Sequence, residues 1–247
     1  MSRPLRIATS NLQTGIGTTR GYWHYLLTGW KYLLPHGSAP VRQAAAFLES
    51  EQIDVAALTE VEGGSWRSKG VDQAALIAEA TPLRHRAFFP TFTTGVRINQ
   101  GNALCARSPL GGTQAHELPG SGEPRFLCEA QTRLRGTAVR VCLTHLSLER
   151  PLRTPQIERV AEIVAGRPDT PTILAGDFNV AETGELRLFL EGGLQRADAG
   201  PTFPAWSPQK TLDHLFFSAH FELLRSYTFG RFLFADHRPL VAEVVLD

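Results

Sequence analysis

The sequence predicts an α/β fold whose sheets contain both parallel and antiparallel strands. Short apolar strand patterns alternate with helical segments along the 247 residues. Several strand patterns follow one another without an intervening helix, which indicates antiparallel pairing. A strand–helix–strand pattern also occurs twice. A hydrophobic content of 43% with 20% charged residues is typical of a globular protein and argues against a largely disordered chain.

Each element is assigned from its local pattern. Strands are predicted at 5–11, 54–60, 86–92, 102–107, 125–134, 138–145, 171–177, 212–218, 221–229 and 239–246. Helices are predicted at 41–51, 71–80, 154–166 and 183–191. Pro40 lies just before the first helix, where proline is favoured, and Pro82 ends the second.

The strand–helix–strand pattern covers residues 7–60 and again residues 141–177. In each copy the first strand ends in a polar side chain, Asn11 or His145, and the second ends in a carboxylate, Glu60 or Asp177. The first copy is longer by 17 residues, which is the length of the aromatic segment 20–36. We interpret 20–36 as an insertion in one of two related halves, and 1–247 as a single domain.

Charge and cysteine content exclude several classes of protein. A formal net charge of +1 argues against a protein that coats polyanions and against an acidic tail. Lysine occurs only at positions 31, 69 and 210, so 22 of the 25 basic residues are arginine, which suits phosphate but also follows from a GC-rich genome. The three cysteines, at 105, 128 and 142, lie among apolar residues and are predicted to be buried free thiols.

No apolar run approaches the roughly 18 residues that a membrane span needs. The charged N-terminus is not followed by the apolar core of a signal peptide. We therefore expect a soluble, cytoplasmic protein.

Polar residues interrupt the apolar strands at their ends. The end of one strand and the start of its antiparallel neighbour lie at the same edge of a sheet. One carboxylate at a strand end is typical of a cap or turn, whereas eight polar groups in this pattern indicate a site. The eight are Asn11, Glu60, His145, Asp177, Asn179, Asp213, Asp236 and His237.

Two short motifs carry recognisable chemistry. In Gly176-Asp-Phe-Asn179 an extended chain would point the carboxylate and the amide the same way, toward a water and an oxyanion. Asp236-His-Arg-Pro239 places an imidazole beside an acid, and Asp213 is a candidate orienting carboxylate for His237.

The ordered set of motifs resembles the metal-dependent endonuclease/exonuclease/phosphatase superfamily, over essentially the whole chain. That superfamily includes pancreatic-type deoxyribonucleases, abasic-site endonucleases, inositol polyphosphate 5-phosphatases and bacterial sphingomyelinases. The resemblance implies a four-layer α/β sandwich, with two mixed β-sheets packed face to face and helices outside. The motifs are Ser10-Asn11, Leu58-Thr-Glu60, Gly101-Asn-Ala-Leu104, Thr144-His-Leu146, Gly176-Asp-Phe-Asn179, Leu212-Asp213 and Ala235-Asp-His-Arg-Pro239.

The resemblance implies a Mg²⁺ site, with Mn²⁺ as a possible substitute. Glu60 is the principal ligand that it implies, with Asn11 beside it and Asp236 nearby. Carboxylate and amide oxygens suit this hard ion. Gln13 stands where some relatives have an aspartate, so the number of metals, one or two, stays open. Ser10, Thr59 and Ala235 also depart from common family residues.

The resemblance also implies the catalytic roles. Asp177 orients or deprotonates the attacking water, and Asn179 holds a non-bridging phosphate oxygen. His237, fixed by Asp213, contacts the phosphate, and His145 lies near the leaving group. The expected reaction is phosphodiester hydrolysis by in-line attack of water.

The substrate is open between two classes, of which nucleic acid is marginally preferred. Cationic and aromatic side chains near the site could bind nucleic acid, and Arg67 is an expected substrate contact. The other candidates are Trp66, Lys69, Arg97, Arg150 and Arg153. The resemblance implies that Asn102 also supports the site on the substrate side.

A phospholipid or phosphoinositide headgroup is the alternative. In 20–36, Trp and Leu side chains share one predicted helix face and Tyr side chains share another, so the segment is either a helix packed on the domain or an interfacial lid with transient membrane contact. Trp206 is expected to line the same cleft. An inactive binding scaffold is the third possibility, and no obligate protein partner is inferred.

Overall fold

The computed structural model describes residues 3–180, 182–230 and 233–246. The strands are β1 Leu5–Asn11, β2 Val55–Glu62, β3 His85–Thr94, β4 Ile98–Ala106, β5 Gly111–Glu117, β6 Phe126–Leu134, β7 Thr137–His145, β8 Thr172–Asp177, β9 Gln195–Arg196, β10 Asp213–Phe217, β11 Phe221–Thr228 and β12 Leu240–Leu246. The α-helices are α1 His24–Thr28, α2 Ala39–Ser50, α3 Gln73–Ala80, α4 Arg150–Ala165 and α5 Arg187–Glu191. Short 3₁₀ segments lie at Gln13–Gly15, Gly29–Tyr32 and Thr183–Leu186.

The strands form two mixed sheets with the same internal plan. The first has the order β11-β12-β1-β2-β4-β3 and the second the order β5-β6-β7-β8-β10-β9. In each, a parallel pair lies at the centre, β1 beside β2 and β7 beside β8, with antiparallel strands on both sides. The predicted repetition of strand–helix–strand units is therefore visible as the centre of each sheet.

The sheets pack face to face, with helices on their outer faces. Ile7 and Val55 of the first sheet share one buried core with Val141 and Ile173 of the second. Side chains on the opposite faces of the sheets pack against α2 and α3 on one side and against α4 and α5 on the other. This arrangement confirms the predicted four-layer α/β sandwich.

Two strands and the form of the insertion differ from the sequence prediction. Strand β5, GGTQAHE, was not predicted because it is an exposed edge strand without apolar alternation. Strand β9 has only two residues. Segment 20–36 forms the short helix α1 followed by a 3₁₀ turn, instead of one continuous amphipathic helix.

The three cysteines are free and buried, as predicted. Burial raises the pKa of each thiol to about 12, so these side chains pack as small apolar groups. Within the described parts of the chain, no helix combines the length and apolar composition that crossing a bilayer requires.

Gly176 is required where β8 passes β7. Its φ is 141°, and a Cβ there would lie 1.9 Å from the carbonyl oxygen of Thr144. We expect Gly176→Ala to lower the free energy of unfolding by about 3 kcal/mol or more, because it adds backbone strain to a steric clash. Urea denaturation measures this. Gly37→Ala is the matched control, since Gly37 has open space around it; equal stability of the two variants would contradict this packing.

Candidate active site

Strand register in the second sheet brings three predicted site residues side by side. His145 pairs with Asp177 across the parallel β7–β8 ladder, and Asp177 pairs with Asp213 across the antiparallel β8–β10 ladder. The His145 Nε2 atom lies 3.8 Å from Asp177 Oδ2. These three side chains therefore form a row across one edge of the sheet.

The first sheet contributes Glu60 through an irregularity in β2. The pairing of β2 with β4 shifts between Leu58 and Val61, and Glu60 has a φ of 52°. A positive φ is uncommon outside glycine and concentrates at functional sites. The bulge places the Glu60 carboxylate on the wall of the pocket that the second sheet also lines.

Asn11 links the two sheets at the base of this pocket. Its Nδ2 donates to Glu60 Oε1 at 3.0 Å and to Asp177 Oδ2 at 3.1 Å. Its Oδ1 accepts a hydrogen bond from the backbone N–H of Gln13 at 2.8 Å. Asn11 therefore lies beside Glu60, as expected, but it acts as a donor that holds two carboxylates. Its oxygen is turned away from them, contrary to the metal-ligand role expected for it.

His237 and Asp213 form the expected hydrogen-bonded pair. His237 Nδ1 donates to Asp213 Oδ2 at 2.7 Å, and His237 Nε2 lies 3.9 Å from Asp177 Oδ2. Burial alone would lower the pKa of His237, but the carboxylates of Asp213, Asp177 and Asp236 outweigh it and raise this pKa well above the usual value. These carboxylates therefore favour the imidazolium form of His237.

His145 has the opposite electrostatic environment. Burial, reinforced by the positive charges of Arg125 and His237, outweighs Asp177 and lowers the pKa of His145 to about 4. His145 is therefore neutral at pH 7. Divergent pKa values for two nearby groups of one type are characteristic of active sites.

Asn179 reaches the pocket by a different backbone path from the predicted one. Strand β8 ends at Asp177, and Asn179 has a φ of 53°, so the extended geometry expected between the two residues is wrong. The Asn179 backbone N–H donates to Asp177 Oδ1 at 3.0 Å, and its side-chain amide donates to Leu146 O at 2.9 Å. Both side chains nevertheless line the same pocket.

The pocket has a volume of about 670 Å³ and contains most of the predicted site. Seven of the eight strand-end residues line it directly, and Asp213 lies buried behind His237. The lining also includes residues that the sequence reasoning missed: Tyr25, Tyr32, Phe92, Gln100, Glu123, Arg125, Leu148, Phe203, Lys210 and Leu212. Arg125 could have been found, because it lies at the start of β6, beside the end of β7 that carries His145.

The insertion forms one wall of the pocket through its tyrosines. Tyr25 Oη donates to Asp236 Oδ2 at 2.5 Å. Tyr32 Oη accepts from Gln13 Nε2 at 3.2 Å. The shared tyrosine face of the predicted helix was the signal for this contact.

Of the four residues expected to bind substrate, Asn179 lines the pocket, whereas Arg67, Asn102 and Trp206 do not. Arg67 is buried, and its guanidinium donates to Glu62, to Gln100 Oε1 and to the Tyr32 carbonyl oxygen. Because these partners occupy the guanidinium, the structure corrects the expectation that Arg67 contacts substrate.

Asn102 and Trp206 support the pocket from behind. Asn102 is buried, with its Nδ2 3.9 Å from Cys128 Sγ, so it is not the direct substrate contact that was expected. Trp206 makes edge-to-face contacts with the rings of Tyr22 and Tyr25 at centroid distances of 5.3 and 6.1 Å. It therefore braces the insertion instead of lining the cleft.

The donor set in the pocket fits a hard divalent cation. Glu60 and Asp236 are the carboxylates on the insertion side, and burial together with the negative charge of Asp236 raises the pKa of Glu60 to about 7. Burial also raises the pKa of Asp236. A cation between such carboxylates would relieve their repulsion, and oxygen donors suit Mg²⁺. Ligand atoms of Asp177, Asp213 and His237 also lie within 4.8 Å of one another, and a hydrogen bond joins His237 to Asp213.

His214 follows Asp213 but points to the opposite face of the sheet, as predicted from strand alternation. Its ring packs against Phe178 and Phe216 at centroid distances of 5.5 and 6.1 Å. Burial, with a contribution from the positive charge of Arg196, lowers the pKa of His214 to about 4.

The lowered pKa of His214 predicts that the folded protein loses stability in acid. As the pH falls, His214 becomes protonated near pH 6.5 in the unfolded chain but only near pH 4 in the folded protein. The contribution of neutral His214 to the free energy of unfolding is therefore complete above pH 6.5 and is lost as the pH falls toward 4. We expect His214→Phe to reduce the acid loss by up to about 3 kcal/mol, since one pKa unit corresponds to about 1.4 kcal/mol. Denaturant titrations between pH 7 and 4 test this, with the partly exposed His85→Gln as control. Identical pH profiles for wild type and His214→Phe would contradict it.

Comparisons with known proteins agree with this geometry. The sequence model of the Endonuclease/Exonuclease/phosphatase family matches residues 8–237. The uncharacterized protein YbhP of Escherichia coli strain K12 is 30% identical over 162 residues, which cover 60% of this chain and 64% of YbhP, so the match spans less than two thirds of that relative.

Solved structures share the fold. An endonuclease/exonuclease/phosphatase from Beutenbergia cavernae has a TM-score of 0.78 at 23% identity, covering 99% of this chain and 72% of that one. Mannosyl-6-phosphatase from Bacteroides thetaiotaomicron has a TM-score of 0.72 at 18% identity, covering 98% of this chain and all of that one. The human Nocturnin catalytic domain has a TM-score of 0.72 at 17% identity, covering 99% and 94%. Given a family match over residues 8–237, the chain belongs to the endonuclease/exonuclease/phosphatase family, whose members hydrolyse phosphate esters.

Proposed function

We propose that the protein is a Mg²⁺-dependent phosphodiesterase that hydrolyses its substrate by direct attack of water. One observation carries this proposal: a single pocket contains Asp177, which lies between two histidines, and also the carboxylates of Glu60 and Asp236. Glu60 and Asp236 would hold the cation. When bound, the metal supplies electrostatic stabilisation of the negative charge that develops on the phosphate.

Asp177 is the group placed to accept the proton of the attacking water. Its Oδ1 accepts from the Asn179 backbone and its Oδ2 accepts from Asn11, so two donors fix the plane of the carboxylate. The site chemistry therefore needs no covalent intermediate, and trapping a phosphoenzyme would contradict the mechanism.

The two histidines have different roles because their charges differ. His237, held by Asp213 and protonated, stabilises charge on the phosphate oxygens. His145, neutral at pH 7, stabilises the leaving oxygen with an N–H hydrogen bond instead of acting as an imidazolium acid. Lys210 adds positive charge to the pocket wall, and Arg125, paired with Glu123, also lines it.

Two substrate classes remain candidates, and the structure changes their balance. Of the cations expected to contact nucleic acid, Arg67 is held by Glu62 and Arg153 by Glu185, and both are buried. Lys69, Arg97 and Arg150 remain exposed and keep nucleic acid as a candidate. The exposure of apolar side chains in 20–36 favours the phospholipid headgroup.

A hydrolysis panel tests the proposed function. Chelator-treated protein is given Mg²⁺ or Mn²⁺ and assayed on bis-p-nitrophenyl phosphate, plasmid DNA, RNA, sphingomyelin and phosphoinositides. We expect hydrolysis of at least one phosphodiester that EDTA abolishes and Mg²⁺ restores. Hydrolysis of none, or hydrolysis unaffected by EDTA, would overturn the proposal, and the first of these outcomes would support the inactive scaffold.

A further inference from the structure

The insertion turns its apolar side chains outward. Six of them are exposed by 49% or more: Trp23, Leu26, Leu27, Trp30, Leu33 and Leu34. We call these six side chains the apolar platform. The sequence left two interpretations of 20–36, a helix packed on the domain or an interfacial lid. A packed helix would have buried these six side chains, so their exposure contradicts the first interpretation. An exposed apolar patch of this kind indicates an interaction surface.

Polar contacts, together with the packing of Tyr22 and Tyr25 against Trp206, hold the insertion in place. Besides the hydrogen bonds of Tyr25 and Tyr32 to the pocket, Thr28 Oγ1 bonds to Thr18 Oγ1 at 2.8 Å, and Lys31 Nζ donates to the Ile16 carbonyl oxygen at 2.7 Å. The tyrosine face of the insertion is thus attached to the domain, and the apolar platform on its other face points outward. It lies beside the pocket, because Tyr25 and Tyr32 of the same segment line the pocket.

Other exposed apolar side chains extend the surface around the pocket mouth. Trp66 and Val96 are 49% and 82% exposed, and the Trp66 backbone N–H donates to the Val96 carbonyl oxygen. Their loop adjoins the insertion, since His36 N–H donates to the Arg67 carbonyl oxygen. Leu148, on the pocket wall, is 75% exposed.

The charges around the apolar platform favour one kind of binding partner. Residues 12–36 contain no aspartate or glutamate but include Arg20 and Lys31. Exposed Lys69 and Arg97 lie in the adjoining loops. Within the insertion, exposed Trp and Leu side chains lie beside cations and no carboxylate occurs. This combination matches the interfacial region of an anionic bilayer, where apolar side chains enter the headgroup boundary and cations meet lipid phosphates.

We propose that the apolar platform docks on the surface of an anionic phospholipid bilayer and places the pocket mouth against the lipid headgroups. The docking is a property of the surface alone. Its consequence, that the substrate is a headgroup phosphodiester, rests on the proposed function.

Vesicle sedimentation tests the docking. Wild-type protein is mixed with vesicles of phosphatidylglycerol and phosphatidylcholine in equal amounts, and with vesicles of phosphatidylcholine alone. We expect binding to the anionic vesicles that weakens at high salt. The double variant Leu26→Ser/Leu27→Ser should bind at least about tenfold more weakly, because it removes two apolar side chains from the contact. Leu188→Ser/Leu224→Ser, at exposed positions on α5 and β11, is the matched control and should bind like wild type.

Tryptophan fluorescence gives a second readout. Three of the four tryptophans, Trp23, Trp30 and Trp66, lie on this surface, so anionic vesicles should shift the emission to the blue in wild type. No vesicle binding by wild type, or equal binding by wild type and the Leu26/Leu27 variant, would overturn the proposal. Dimers in sedimentation velocity that the same variant dissociates, without vesicle binding, would assign the surface to a second copy and also overturn it.

Hydrolysis separates this inference from the proposed function. The Leu26/Leu27 variant should hydrolyse dissolved bis-p-nitrophenyl phosphate at the wild-type rate, because neither leucine lines the pocket, and should lose activity selectively on vesicle lipid. Vesicle binding without any hydrolysis would contradict the proposed function and leave docking supported. Hydrolysis of the dissolved ester without vesicle binding would contradict docking and leave the proposed function supported.

Discussion

Asp177→Asn is expected to lower kcat for bis-p-nitrophenyl phosphate by a factor of about 10³, within the range of about 10² to 10⁴ that a positioned general base contributes. The amide has nearly the same shape and can keep one accepting oxygen, but it cannot take a proton from water. The loss should therefore appear in kcat more than in KM. Steady-state kinetics at saturating Mg²⁺ measures it.

Asp169→Asn is the control for this prediction, because Asp169 is exposed between α4 and β8. Thermal unfolding of both variants checks that the fold is retained. An Asp177→Asn protein that is folded and turns over at the wild-type rate would remove Asp177 from the mechanism.

Glu60→Gln is expected to abolish measurable Mg²⁺ binding and to reduce hydrolysis by a factor of about 10² or more, since the metal accounts for several kcal/mol of transition-state stabilisation. A glutamine at this position can still accept the hydrogen bond that Asn11 gives to Glu60. The substitution thus removes charge with little change of shape. Isothermal titration with Mg²⁺ and steady-state kinetics measure the two effects.

In the metal-free protein, by contrast, Glu60→Gln is not expected to lower stability. Because burial and Asp236 destabilise the Glu60 carboxylate, the metal-free variant should be at least as stable as wild type. Mg²⁺ should raise the Tm of wild type and of the exposed control Glu79→Gln, but not of Glu60→Gln. A normal Mg²⁺-induced rise in Glu60→Gln would show that the cation binds elsewhere.

The row of residues in the second sheet could be predicted because its geometry follows from local rules. His145, Asp177 and Asp213 end or begin apolar strands, and strand adjacency places such ends together. The pairing of His237 with Asp213 followed from the motif and the family resemblance, and the 2.7 Å hydrogen bond confirms it. The four-layer architecture was likewise predictable from the family resemblance.

The remaining features depend on contacts that no local pattern specifies. Tyr25 meets Asp236 across 211 positions of sequence, and nothing in the insertion itself names that partner. Arg67 looked like a free cation in a loop, but Glu62 five positions earlier binds it inside the protein. The left-handed backbone at Glu60 and Asn179 was invisible because neither residue is a glycine.

The most direct test of the account is single-turnover hydrolysis of bis-p-nitrophenyl phosphate in ¹⁸O-labelled water by protein stripped of metal, with and without added Mg²⁺. We predict product only when Mg²⁺ is present, with one labelled oxygen from water in each phosphate monoester and no phosphorylated protein after an acid quench. Turnover without a divalent cation, or a phosphorylated protein that appears before product, would contradict it.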